Sequence, residues 1–110
     1  MNGMNKVVLM GHLQDKPIDV PTKSGYRCCE FSIQTTSYTK TEDNIKKKVI
    51  DNHKVIAYGK TAKACMDLLR KGSMVLVEGN LRNQNGNSYE IRADEVSFIS
   101  NYGKEDNQNG

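Results

Sequence analysis

Few side chains in this sequence could do covalent or metal chemistry. They are three cysteines, Cys28, Cys29 and Cys65, and two histidines, His12 and His53. A nucleophilic thiol needs a base beside it, and a zinc site needs three or four ligands at short spacings. No Cys-x-x-Cys pair occurs, and His12 stands 41 residues from His53. Cys28 and Cys29 are adjacent and, on a strand, point to opposite faces. The pattern predicts neither a metal site nor a disulfide framework, and an odd number of thiols fits a reducing, intracellular compartment. The thiols read as small apolar residues, Cys29 in phase with Phe31 and Cys65 on a helix stripe. A nucleophile built from Cys29 or Cys65 with His53 is the enzymatic alternative.

The elements that must position these residues are bounded by the composition. A chain of 110 residues builds one core, and 36% apolar residues suffice for it. No apolar run approaches the roughly 18 residues of a membrane span. The run within MNKVVLMGH is too short for a secretory signal. The formal charge is +3, with +4 in residues 1–100 and −1 in the last ten. That excess permits a polyanion partner without requiring one. The final NYGKEDNQNG reads as a short polar disordered tail, residues 101–110, behind a domain of residues 1–100.

Five strands and one helix follow from periodicity. The first strand spans Asn5 to Leu13, and its Val7-Val8-Leu9-Met10 centre is apolar on both faces, so both faces need cover. The second runs from Tyr26 to about Thr36, with Cys29, Phe31, Ile33 and Thr35 on one face. Ser37 to Lys48 reads as a charged loop. The third strand, about Val49 to Tyr58, sets His53, Val55 and Ala57 against Asn52, Lys54, Ile56 and Tyr58. A helix from about Thr61 to Lys71 carries Ala62, Cys65, Met66 and Leu69 as its stripe, with Thr61 as its cap and Gly72 ending it. The fourth strand, Ser73 to Gln84, turns at Asn85-Gly86 into the fifth, Asn87 to Ile99. Val96 and Phe98 are out of phase with Tyr89, Ile91 and Ala93, which calls for a bulge near Asp94. This order predicts an all-β, five-stranded OB-fold barrel with one α-helix between strands 3 and 4, plugging one barrel end.

At MNKVVLMGHL, SGYRCCEFSIQTT, NHKVIAYGKTAKACMDLLRKGSMVLVEGNLR and EIRADEVSFI, the chain resembles the bacterial single-stranded DNA-binding protein (SSB) family over about residues 4–99. His53 to Arg82 is the most specific part. The resemblance implies a cytoplasmic, non-enzymatic homo-oligomer, usually a tetramer, that holds single-stranded DNA in replication, recombination and repair without a cofactor. This sequence departs from the family in having no tryptophan, including at Asn52. Its last hairpin loop is cut to about Asn83–Asn87, and its final NYGKEDNQNG does not match the family's acidic tip, so recruitment of replication partners through such a tip is not expected. A primosomal adaptor similar to primosomal replication protein N is the alternative.

Holding single strands takes cations for phosphates and flat rings for bases. Tyr58 is the first candidate ring, on a face with Lys54 and Asn52. Tyr38 and Tyr89 are further candidates, and Tyr26, at a turn beside Arg27, is a weaker one. Lys46, Lys47 and Lys48 read as a phosphate track that Arg27, Lys54 and Arg82 extend. The second apolar face of the first strand predicts assembly through Asn5, Lys6, Val7, Val8, Leu9 and Met10. The family places its histidine, here His53, near the subunit contact.

Overall fold

The computed structural model describes residues 2–101, so the expected tail lies outside the described residues except for Asn101. Six strands and one helix follow in order: β1 (Val7–Leu13), β2 (Ile18–Asp19), β3 (Cys28–Lys40), β4 (Lys46–Tyr58), α1 (Gly59–Leu68), β5 (Met74–Gln84) and β6 (Ser88–Ser100). The sheet order is β1-β5-β6-β4-β3-β2, and β1 also pairs with β3 at His12↔Gln34 and Leu13↔Ile33. That second pairing closes five strands into the expected OB-fold barrel, with the helix between its third and fourth barrel strands. The two-residue β2 is an addition outside the barrel, laid on β3 through Ile18↔Glu30 and Asp19↔Cys29. Pro17 and Pro21 bracket it, and a proline has no N–H to extend a ladder.

Alternation puts Phe31, Ile33, Val55 and Ala57 inside, where they meet Leu13, Val75, Val77 and Ile91. Ala62, Cys65 and Leu69 bury the predicted stripe against this cluster, and Met66 packs at its edge. The expected bulge is present: Glu78 faces Glu95 while Gly79 faces Ala93, leaving Asp94 unopposed. Val96 thereby turns back onto the core. Phe98 does not follow, and stays exposed just before a second register shift, at Ile99.

Two sequence expectations are corrected. Ser37–Lys48 is not a loop: β3 and β4 run as one ladder of thirteen pairs, from Cys28↔Tyr58 to Lys40↔Lys46. Thr35, Thr36, Tyr38 and Thr39 on β3 and Val49 and Ile50 on β4 favour extended backbone, and outward charges suit a ribbon wet on both faces. Its tip closes where Thr41 N–H donates to the Ile45 carbonyl at 3.0 Å and Ile45 N–H to Thr41 Oγ1 at 3.2 Å. The helix, in turn, begins at Gly59 and ends at Leu68 rather than spanning Thr61 to Lys71. Tyr58 occupies its N-cap position with no side-chain cap bond. Thr61 is therefore inside the helix, and Gly72 (φ +89°) serves the following Arg70–Ser73 turn.

The barrel closes tightly at two glycines. A Cβ on Gly11 would overlap the Gln34 carbonyl oxygen, and one on Gly79 the Arg92 carbonyl oxygen. Both contacts are with backbone, which cannot rotate away. Gly11→Ala is expected to lower stability by about 1–3 kcal/mol, the usual cost of forcing extra volume into a packed site. Urea denaturation checks this; an unchanged midpoint would mean that β1 moves freely off β3.

Candidate nucleic-acid interface

The β3–β4 register decides which candidate side chains share a surface. Opposed residues project to the same face, so Lys40, Tyr38, Gln34, Ser32 and Glu30 of β3 lie with Lys46, Lys48, Asn52, Lys54 and Tyr58 of β4. Twelve steps at about 3.3 Å make this face roughly 40 Å long. Tyr38, Lys46, Lys48, Asn52, Lys54 and Tyr58 are thus brought onto one ribbon face. Lys47 is not: it alternates to the other side with Thr39, so the lysine run is split between two faces.

Each member has definite neighbours. Lys46 Nζ lies 4.4 Å over the exposed Tyr38 ring, a cation–π contact at the far end. Asn52 Oδ1 accepts from Gln34 Nε2 at 3.3 Å. Lys54 Nζ stands 3.6 Å from Glu30 Oε1 and 3.9 Å from Glu90 Oε1. Two carboxylates thus offset the charge of Lys54, which the sequence offers as a free cation. Glu90 Oε1 is itself buried without a hydrogen-bond partner. Tyr58 is half-buried, with Arg92 Cζ 5.0 Å over its ring and the Tyr26 ring stacked on it at 6.4 Å and 21°.

The remaining candidates are dispersed. Arg27 Nε lies 3.8 Å from Asp19 on β2, and its charge helps hold the Asp67 carboxyl on α1 down, behind the larger effect of Lys63. It belongs to the helix side rather than to the Tyr58 face. Arg82 joins Tyr58, Asn83, Glu90 and Arg92 around a small recess. Tyr89 is exposed and opposes Asn83, on the hairpin face away from Arg82 and Glu90. It neither packs in the core nor joins Tyr58. Arg92 is the residue that sequence reading missed. Its only signal was its phase, two residues from Glu90 on a strand whose parallel pairing with β4 (Ile56↔Arg92) is not legible locally.

Along β1, Val7 and Leu9 pack on the core while Val8 and Met10 are 53% and 58% exposed. Asn5 is tied within the chain, its amide donating to the Leu81 carbonyl at 2.8 Å and its Oδ1 accepting from Leu81 N–H at 2.9 Å. Lys6 pairs with Glu78 at 3.6 Å. His53 Nε2 shares a hydrogen bond with Thr35 Oγ1 at 2.9 Å on the ribbon side opposite Lys54.

The three cysteines are free and buried. Burial, then the neighbouring Cys29, pushes the Cys28 thiol up, against a hydrogen bond from Tyr58. Cys65 is raised by its hydrogen bond to Cys29 and by burial. His53 faces Thr35 rather than a thiol. Among the described residues no group of three or more His, Cys, Asp or Glu side chains converges as a metal site.

A closed five-stranded barrel plugged by one helix, with a long two-stranded ribbon bearing tyrosine and lysine on one face, defines an OB-fold protein. Residues 4–99 match the single-strand binding protein family. The chain belongs to that family. It is similar to the single-stranded DNA-binding protein of Xanthomonas axonopodis pv. citri, 39% identical over 80 residues, which cover 73% of this chain and 44% of that one. The Xylella fastidiosa protein of the same description is 33% identical over 105 residues, 88% of this chain and 64% of that one. The chain spans under half the length of the Xanthomonas relative. Among solved structures, a deletion mutant of the single-stranded DNA-binding protein from Thermus aquaticus superposes with a TM-score of 0.79 at 26% identity, covering 89% of this chain and 51% of that one. The fold is also that of a Plasmodium falciparum SSB solved with single-stranded DNA, with a TM-score of 0.81 at 23% identity, covering 91% of this chain and 98% of that one.

Burial generates a direct check on the enzymatic alternative. At neutral pH all three thiols are expected to react with a disulfide reagent much more slowly in the folded protein than in urea, because a nucleophilic thiol must be exposed and ionised. Rapid labelling of Cys29 or Cys65 in the native state would reopen a catalytic role.

Proposed function

We propose that this chain binds and protects single-stranded DNA without sequence preference, serving replication, recombination and repair in the cytoplasm as a non-enzymatic protein. The observation that supports this most is the alignment of Tyr38, Lys46, Lys48, Asn52 and Tyr58 along one ribbon face. Rings spaced along a lysine-bearing track suit a strand whose bases lie flat and whose phosphates need counter-charge. Arg82 and Arg92 add positive charge at the Tyr58 end, and Lys47, Arg27 and Tyr89 stand beside the track rather than on it. Lys54, between two carboxylates, acts there chiefly to hold the strands' side chains in place.

Assembly forms part of the reading. Among the described residues, β1 pairs with β5 from Val7 to His12 but with β3 only at His12 and Leu13. Its Val7–Met10 edge is open, and Val8 and Met10 present an apolar strip above it. A second copy paired there covers both, and a tetramer follows from two such pairs, with His53 near the contact.

A fluorescence or gel-shift titration is expected to favour oligo-dT clearly over duplex. Tyr58→Ala should cost about 1–3 kcal/mol in binding. Lys48→Ala should reduce the salt slope by about 0.7, and Lys54→Ala by less, since its charge is already offset. Equal affinity for both forms of DNA would sink the reading. For assembly, solution mass is expected at a multiple of 12.4 kDa, with Met10→Glu shifting it toward the monomer. A concentration-independent monomer would remove the oligomer.

A further inference from the structure

We propose that Tyr26 is itself a base-stacking platform, the outermost ring of a stack Arg92–Tyr58–Tyr26 built beside the junction of β4 and α1. The inference deepens the single-strand reading above and rests on it. Tyr58 is half-buried and does not stand alone. Arg92 Cζ lies 5.0 Å over its centroid, and Tyr26 is stacked on it at 6.4 Å with 21° between the planes. In the strand order β6-β4-β3, β6 and β3 flank β4 on opposite sides. The guanidinium on β6 and the ring that leads into β3 therefore reach Tyr58 from opposite flanks of β4. Tyr26 is the more exposed of the two rings, at 60% for the residue.

The backbone that carries this ring is held rather than loose. Thr22 Oγ1 donates to the Tyr26 carbonyl at 2.7 Å, and Tyr26 N–H donates to Ser24 Oγ at 3.2 Å. Gly59 N–H donates to the Arg27 carbonyl at 2.8 Å, which ties this turn to the start of the helix. Gly59 also makes room: a Cβ there would stand 2.7 Å from the Tyr26 hydroxyl. An exposed aromatic ring backed by a second ring is what an unpaired base stacks on, whatever its identity. Tyr26 and Tyr58 thus act as one unit, with Tyr26 extending the stacking surface that Tyr58 begins.

The chain has no tryptophan, so Tyr26→Trp places a single indole reporter on the proposed surface. Saturation with oligo-dT is expected to quench its emission, with the midpoint that gel shift gives for the same variant. Tyr26→Ala should weaken binding about 5- to 150-fold, and Tyr26→Phe should stay within about twofold of wild type. Retained binding by gel shift with unchanged indole emission would overturn the platform and leave the single-strand reading intact. Failure of the wild-type chain to bind any single strand would overturn that reading and this inference with it. If circular dichroism shows Tyr26→Ala unfolded, the Trp and Phe variants decide.

Discussion

The uninterrupted antiparallel register between β3 and β4 is the constraint on which the rest of this protein hangs. Thirteen consecutive pairs hold without a slip. Alternation along them sends Phe31, Ile33, Val55 and Ala57 to the core and Tyr38, Lys46, Lys48, Asn52 and Tyr58 to the outer face. A shift by one residue would invert both sets at once. It would put lysine amines into the barrel at a cost no surface contact could offset. The buried half of the ladder thus pins the exposed half, and the position of each candidate binding residue is set by the packing of its neighbour on the other side.

Closure adds a second constraint. A five-stranded barrel must bend sharply, and the chain bends where side chains are smallest or where a residue is left unopposed. Gly11 lets β1 meet β3, Gly79 lets β5 meet β6, and Asp94 is the extra residue that turns Val96 inward. The same curvature brings Arg92 on β6 alongside β4, a parallel contact of only two pairs, Val55↔Ile91 and Ile56↔Arg92. That short contact delivers the guanidinium to the Tyr58 ring. Barrel closure and the architecture of the aromatic stack are therefore one event.

The charge pattern of the outer face is mixed. Lys54 is offset by Glu30 and Glu90, whereas Lys46 leans over Tyr38 and Lys48 has no carboxylate among the ion pairs of the described residues. Positive charge is thus weighted toward the ribbon's far end and toward Arg82 and Arg92, with a neutralised stretch between. Cation and ring thus stand at both ends of this face, with an ion-paired middle between them.

Much was legible locally. The strand alternation, the helix stripe of Ala62, Cys65, Met66 and Leu69, the bulge at Asp94 and the shared face of Asn52, Lys54 and Tyr58 all follow from periods of 2.0 and 3.6, which act over a few residues. The ends of elements were less so. The charges of Ser37–Lys48 suggested a loop because a ribbon without a buried face has no hydrophobic signature. The helix start moved to Gly59 because chain direction at the end of β4, rather than a capping side chain, set it. Partnership across strands was not legible at all: Glu30 and Glu90 on Lys54, Arg92 and Tyr26 on Tyr58, Asp19 on Arg27. Residue types and spacing determine what a chain can bury and which side chains share a face. Which charges cancel and which rings touch depends on strands far apart in sequence, and only closure of the barrel brings those together.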